Sequence, residues 1–208
     1  MEQRQLVGLI TRRSEVRILP PQPTHLLENP GSRPPGVLPF RDTVAMAILV
    51  REATAADGEV VRAIAAAAWR DTYAGLLRSE TIEAFLERAY SVERVARRIG
   101  SDTFLLASVD GSPVAFADAR EDGDQLHLLA IYALPERRGR GAGSALLAEL
   151  RRRFPALPIA AEVLRDNLKG ETFYAARGFE PRETVEAELF GEPVVERRWW
   201  LDATGAPG

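Results

Sequence analysis

The sequence predicts a domain of α/β (α+β) class, built on a mixed, mostly antiparallel sheet of six to seven strands with helices on both faces. Three observations support this. Read by hydrophobic period, the chain from Ala47 onward gives the order β, α, α, α, β, β, β, α, β, α, β, β. An all-parallel doubly wound sheet would alternate strand and helix throughout, and a helix bundle would have no place for the strands. The AspGlySerPro stretch at 110–113 lies between two apolar runs and signals an antiparallel hairpin. With 208 residues, 46% of them hydrophobic, the chain can bury one proper core, so one domain is expected.

The elements follow in order. Residues 47–52 alternate and carry β-branched side chains, which makes a first strand. Thr54 then caps a helix from about Ala56 to Tyr73, with Val60, Ile64, Ala67 and Ala68 on its apolar face. A second helix runs from Ser79 to Ala89, with Glu80 and Glu83 in its first turn, and a third covers Val92 to Ile99. The period then changes from helix to strand. Thr103 to Val109 and Val114 to Ala119 form the hairpin, and Gln125 to Leu134 adds a strand beside it. A glycine-dense turn leads into a helix ending near Phe154, where Pro155 and Pro158 mark a break before a strand at Ile159 to Leu164. A last helix spans Leu168 to Ala176 and stops at Gly178. Final strands are expected at Thr184 to Leu189 and Val194 to Leu201.

Residues 1–45 stand apart. They hold seven of the fourteen prolines and show no sustained period, which is the composition of a disordered extension. Lys169 is the sole lysine, against 26 arginines, which points to a gene rich in G and C. Ser14 to Pro23 can be back-translated into a stretch holding GGAGG, TTCGAAT and CCTCC in succession, similar to the end of a transfer RNA gene. Translation is therefore expected to start at Met46, with 46–208 as the folded domain, the alternative being a genuine flexible tail. Cysteine is absent and the only histidines are His25 and His127, so thiolate and histidine-rich metal sites are excluded and no metal is expected. No apolar run is long enough to cross a membrane and no signal peptide is visible, which gives a cytoplasmic expectation without a membrane partner. The net charge of -3 argues against nucleic acid as the main partner.

The stretch from Ile131 to Leu150, IYALPERRGRGAGSALLAEL, carries the chemistry. A strand passes through a basic turn with glycines at 139, 141 and 143 straight into a helix. Glycines there allow positive φ and close approach, and the free N–H groups of the helix start favour an anion such as phosphate. A phosphate-binding P-loop needs a lysine and hydroxyl after its last glycine, and Gly143 is followed by Ser144 with the lysine elsewhere. A dinucleotide fingerprint fails too, because no acidic residue follows at the required place.

Arg138, Gly141 and Gly143 match the pattern (R/Q)xxGx(G/A). A second block, Asn167 to Phe179, reads NLKGETFYAARGF. Together they resemble the pyrophosphate loop and the last core helix of the GNAT superfamily of N-acetyltransferases. The resemblance covers about Ile48 to Leu201 and implies the acyl-CoA N-acyltransferase fold. It implies that backbone N–H groups from Arg138 through Gly139, Arg140, Gly141 and Ala142 to Gly143 hold the pyrophosphate of acetyl-coenzyme A as cosubstrate. The strand at 126–134 would pair with the pantetheine arm, and an N–H near Ile131 or Tyr132 would polarise the thioester carbonyl. Asn167 would lie beside the pantetheine, a role compatible with capping its helix. Gly170, where the family often has alanine, would permit close approach of the cosubstrate.

By the same resemblance Tyr174 is the acid that protonates the leaving thiolate, the alternative being a packing tyrosine beside Phe173. His127 falls where some members carry a glutamate base, and a structural histidine is the competing reading; Glu162 on the neighbouring strand is a further candidate. Trp69 and Tyr73 resemble an acceptor-side wall, with core packing as the alternative. Trp199 and Trp200 are read as sheet packing or as a contact between two copies of the chain, a homodimer. The implied activity is transfer of an acetyl group to a primary amine of a small molecule, a protein N-terminus or a lysine, by direct attack in a ternary complex. The alternatives are a non-catalytic acyl-coenzyme A binding module and, disfavoured by the acidic core, acetylation of aminoacyl-transfer RNA.

Overall fold

A computed structural model describes residues 47–204. The expected extension at 1–45 and the start at Met46 lie outside the described residues. The elements are β1 (Ile48–Glu52), α1 (Gly58–Tyr73), α2 (Ser79–Ala89), α3 (Val92–Ser101), β2 (Thr103–Val109), β3 (Ser112–Asp122), β4 (Gln125–Ala133), α4 (Ala142–Arg153), β5 (Ile159–Leu164), α5 (Leu168–Ala175), β6 (Glu180–Leu189) and β7 (Glu192–Leu201). This is the expected order. The seven strands form one sheet in the order β1-β2-β3-β4-β5-β7-β6. Every neighbouring pair is antiparallel except β4 with β5.

Thr54 heads a short 3-10 turn, Ala55–Asp57, before α1 rather than the α-helix itself. Its N–H and hydroxyl both donate to the Asp57 carboxylate, at 2.7 and 2.9 Å, and Arg51 grips the same carboxylate at 2.7 Å. These bonds hold the Asp57 carboxyl well below the usual range. The buried residues of α1 are Val61, Ile64, Ala65, Ala68, Trp69 and Tyr73; of the expected face Ile64 and Ala68 are among them, Val60 packs against this core partly buried, and Ala67 is not part of it. Strands β3, β6 and β7 each run beyond the limits expected from sequence. Pro113, Pro181 and Pro193 lie near strand ends, where a missing N–H costs no central ladder bond.

Both faces of the sheet are covered. On one, Leu146, Leu147 and Leu150 of α4 and Tyr174 of α5 pack against Leu105, Ala117, Leu126, Leu128 and Trp199. On the other, Ile64 and Trp69 of α1, Ile82 and Leu86 of α2 and Val95 of α3 pack against Phe104, Leu106, Phe116 and Ala130. No helix among the described residues is long and apolar enough to cross a membrane. Trp199 is a core residue, as the packing reading expected.

Candidate active site

The sheet opens at its single parallel joint. Strands β4 and β5 pair only through Leu126 with Ile159 and His127 with Ala160. Beyond that point β4 carries a bulge. Leu128 pairs with Ala119 and Ala130 with Asp118, so Leu129 is an extra residue that bends the strand away from its neighbour. A cavity of about 510 Å³ fills the opening, walled by residues 128–133 of β4, Glu162 and Val163 of β5, the loop before α4 and one side of α5. Its size suits an extended small-molecule substrate.

At one end lies the anion cradle. Gly141, with φ of 93°, is the N-cap of α4. Among the described residues no backbone carbonyl accepts from the N–H groups of residues 139–144. The Arg138 N–H is different: it donates to the Pro135 carbonyl at 3.4 Å, so the cradle begins at Gly139 rather than at Arg138. The Arg138 side chain turns aside to the Asp71 carboxylate and to Thr72 Oγ1 at 3.0 Å. Arg140 is exposed and outside the cavity wall. Gly143 has no positive φ, against expectation. A Cβ there would meet the Phe173 ring at 2.8 Å, so glycine is needed for close packing of α4 on α5.

Arg177 was not anticipated from sequence. Its guanidinium donates to Ser144 Oγ at 2.6 Å and to the Phe173 carbonyl at 2.7 Å, and sits 3.8 Å over the Phe173 ring. It lines the cavity beside the helix start, and no carboxylate pairs with it among the described residues. Burial lowers its pKa. An uncompensated cation beside free N–H donors suits an anionic ligand. Its spacing of four from Phe173, across the end of α5, was the available signal.

Asn167 caps its helix, as one of its two readings expected. Its Oδ1 accepts from the Gly170 N–H at 3.0 Å as the cap of α5, and the residue lines the cavity. Gly170 has a packing reason as well, since a Cβ there would lie 2.7 Å from Asn167 Nδ2 and 3.0 Å from Val163.

Toward the other end of the cavity stand Tyr73, Tyr132 and Tyr174, all in its wall. Burial pushes all three phenols above their usual pKa. For Tyr174 this removes the expected match between phenol and thiol. The phenol stays protonated and able to donate, while desolvation raises the basicity of a departing thiolate in the same dry place. Ile131 lies on the exposed edge of β4. Trp69 does not reach the cavity: it stacks on Phe85 with ring centroids 3.8 Å apart and ties α1 to α2, which is the packing role.

His127 is not in the cavity wall either. Its Nε2 lies 2.5 Å from Glu162 Oε2, with both side chains buried. Glu162, which does line the cavity, also accepts from Arg198 Nε at 2.9 Å, and Arg198 Nη1 donates to Glu183 at 2.9 Å. A polar row thus crosses β4, β5, β7 and β6. His127 touches the cavity only through Glu162.

These features have counterparts in known proteins. A model of the acetyltransferase (GNAT) family matches residues 54–179. A spermidine N(1)-acetyltransferase of Thermoplasma acidophilum is 28% identical over 160 residues, covering 73% of this chain and 99% of that protein. Among solved structures, the PaiA N-acetyltransferase of Thermoplasma acidophilum in complex with coenzyme A superposes with a TM-score of 0.65 at 27% identity, covering 73% of this chain and 98% of that one. A GCN5-related N-acetyltransferase from Rhodopseudomonas palustris has a TM-score of 0.65 at 25% identity, over 76% of this chain and 97% of its own. The match to the family model spans more than half of the sequence and includes both the loop before α4 and helix α5, so this chain belongs to the GNAT family of N-acetyltransferases.

Proposed function

We propose that the chain moves the acetyl group of acetyl-coenzyme A to a primary amine of a small cationic acceptor, by direct attack in a ternary complex. The continuous cavity carries this reading, because it joins an anion cradle to the splayed edge of β4. The free N–H groups of residues 139–144 and the unpaired Arg177 guanidinium fit the phosphates of the cosubstrate. The open backbone of residues 128–133 fits a pantetheine arm, and an N–H near Ile131 or Tyr132 would polarise the thioester carbonyl. Asn167 borders the same path.

In the reaction the amine nitrogen attacks the acetyl carbon, the N–C bond forms, and the C–S bond breaks. Tyr174 donates to the departing sulfur. His127 acts as a positioning group that fixes Glu162, since its Nε2 is already engaged there. The likeness to a spermidine acetyltransferase favours an aliphatic polyamine as acceptor over a protein chain. The acidic side chains Glu162, Glu183 and Glu196 on that face of the sheet agree with a cationic substrate.

Release of free thiol from acetyl-coenzyme A over a panel of polyamines, amino acids and lysine peptides tests the reading. Turnover is expected with polyamines and should fall by about 10²-fold in Tyr174→Phe. Tight coenzyme A binding without amine-dependent release from any acceptor would make the chain a binding module and sink the enzyme reading.

A further inference from the structure

We infer that Asp118 is a positioning residue for the cavity edge of β4: the proton on its buried carboxyl keeps the bulge in the form that accepts the cosubstrate, and loss of that proton disturbs it. The assignment rests on the reading above that acetyl-coenzyme A lies along that edge. Asp118 stands on β3 at the rung where the bulge is inserted. It pairs with Ala130, the next rung joins Ala119 to Leu128, and the extra residue Leu129 lies between. Two residues on from Phe116, Asp118 shares the face covered by α1, α2 and α3, and Ala130 lies on that face too. One pleat further along β4 is Tyr132, paired with Phe116 and in the cavity wall with the rest of residues 128–133. A shift of Asp118 is therefore passed to the edge through a ladder that is already irregular at this rung.

Two acids and two arginines meet here. Arg120 of β3 grips Asp102, at the end of α3, through both carboxylate oxygens at 2.9 and 2.7 Å, and the Ser101 hydroxyl donates to it at 2.8 Å. Asp102 is satisfied, and Asp118 is not. The Asp118 side chain is fully buried, and among the described residues neither of its oxygens accepts an aligned hydrogen bond. Arg98 of α3 approaches one of them at 3.2 Å, with its own Nε unpaired among the described residues. Tyr90, at the end of α2, lies 4.6 Å from the Arg98 guanidinium, and Phe104 of β2 lies 6.0 Å from it. From β4 the nearest titratable group is Tyr132, which feels the Arg98 charge, and from α1 it is Tyr73, next to Tyr132 and Tyr90.

An ionised carboxylate in this place is costly, because it meets the Asp102 charge with only a misaligned guanidinium to answer it. A proton removes the repulsion and gives Asp118 an O–H that can donate to Asp102. Burial, opposed by Arg98 and helped by the Asp102 charge, pushes the Asp118 carboxyl up to about 7, so both forms are populated near neutrality. The neutral form fits the rung as it stands. The ionised form is accommodated by drawing Arg98 into line or by moving the carboxylate away from Asp102. Either shift acts on the rung that carries the bulge. A pantetheine arm paired with the edge selects the neutral form, so proton loss and cosubstrate binding oppose each other.

The test follows the backbone amide resonances of residues 128–132 by NMR, from about pH 5.5 to 8, in the free protein and in Asp118→Asn. The variant is neutral at every pH and keeps a donor for Asp102. In wild type these amides should shift together with a midpoint at about pH 7, and in the variant that shift should vanish. Amides that do not titrate in wild type, or that titrate alike in both proteins, would overturn the assignment. Should Asp118→Asn fail to fold, Arg98→Met decides: without the cation the ionised form is harder to reach, so the midpoint should move up by about one unit or more. An unmoved midpoint counts against Asp118. Calorimetry with acetyl-coenzyme A then reads the effect on binding. Ionisation of the ligand's phosphates is common to both proteins, so the ratio of wild-type to variant Kd reports Asp118. About ten in eleven wild-type carboxyls are ionised one unit above the midpoint, so that ratio should rise about tenfold between about pH 6 and 8. A constant ratio would sever Asp118 from the cosubstrate edge. If acetyl-coenzyme A binds neither protein, the cosubstrate reading fails, and the amide titration still decides whether Asp118 sets the bulge.

Discussion

Asp118 is a single residue whose charge state the fold controls. It sits on β3 with its side chain fully buried, and Arg98 of α3 approaches it at 3.2 Å without hydrogen-bond alignment. Burial, followed by the opposing pull of Arg98 and the push of the Asp102 charge, leaves the carboxyl raised to about 7 from an ordinary value of 3.8. The folded protein thus holds this proton more tightly than the unfolded chain. Any stabilisation from that proton is complete below about pH 4 and fades as pH rises through 7. Replacing Arg98 with Met leaves the ionised carboxylate unpaired, and should cost about 3 kcal/mol at pH 8 but much less at pH 5. Urea unfolding at the two pH values checks this, and equal losses would assign the effect to the lost stacking of Arg98 on Tyr90. Residues of this kind could not be found in the sequence. Gly141, Asn167 and Tyr174 announce themselves through neighbours a few positions away. Asp118 depends on Arg98 and Arg177 on Ser144, each on a different element. Gly143 was legible as a required glycine, but its reason, the Phe173 ring, lies on another helix.

At the scale of elements, the C-terminal turn of α1 is clasped to both lips of the cavity. The Asp71 carboxylate accepts from Lys169 Nζ of α5 at 2.7 Å and from Arg138 of the loop before α4. Thr72 adds a second contact to the same arginine. Helix α1 is therefore tied to the two segments proposed to hold the cosubstrate. The pair is partly exposed, so its direct worth to stability is small, about 1 kcal/mol or less. Its electrostatic effect on the cradle is larger, because Asp71 pairs with two cations of the cavity wall, beside the proposed phosphate path. Asp71→Asn should tighten acetyl-coenzyme A binding by about threefold at low salt, with the gain lost at high salt. Calorimetry at two ionic strengths checks it, and weaker binding would show that holding α1 in place outweighs the charge. Nothing local marks Asp71 for this role. Its partners on α5 and on the loop before α4 are set by tertiary packing, while the existence and order of those elements were plain from hydrophobic period and turn residues. Element ends were legible within a few residues, except that β3, β6 and β7 extend to include Pro113, Pro181 and Pro193 near their ends.

For the whole molecule the decisive feature is how little joins the two halves of the sheet. Strands β1 to β4 meet β5, β7 and β6 through two residue pairs at the parallel joint. A parallel neighbour was legible in outline, since the order β, α, β occurs twice after Gln125, but which pair it joins was not. The depth of the split was not, because it depends on the extra residue Leu129 and on where pairing stops. An elongated ligand in the split would touch the loop before α4, the free edge of β4 and helix α5 together, and so would bridge both halves. Such a ligand binds the folded state alone, and at a hundredfold excess over its Kd should add about 2.7 kcal/mol of stability. For a domain of this size that raises Tm by roughly 5 to 10 °C. Acetyl-coenzyme A should give this shift and should slow amide exchange in residues 128–133 and in β5 alike. ATP, which offers phosphates to the cradle but no arm for the split, should shift Tm less and leave β5 exchange unchanged. Equal protection by the two nucleotides would place binding in the cradle alone and deny the split its bridging role.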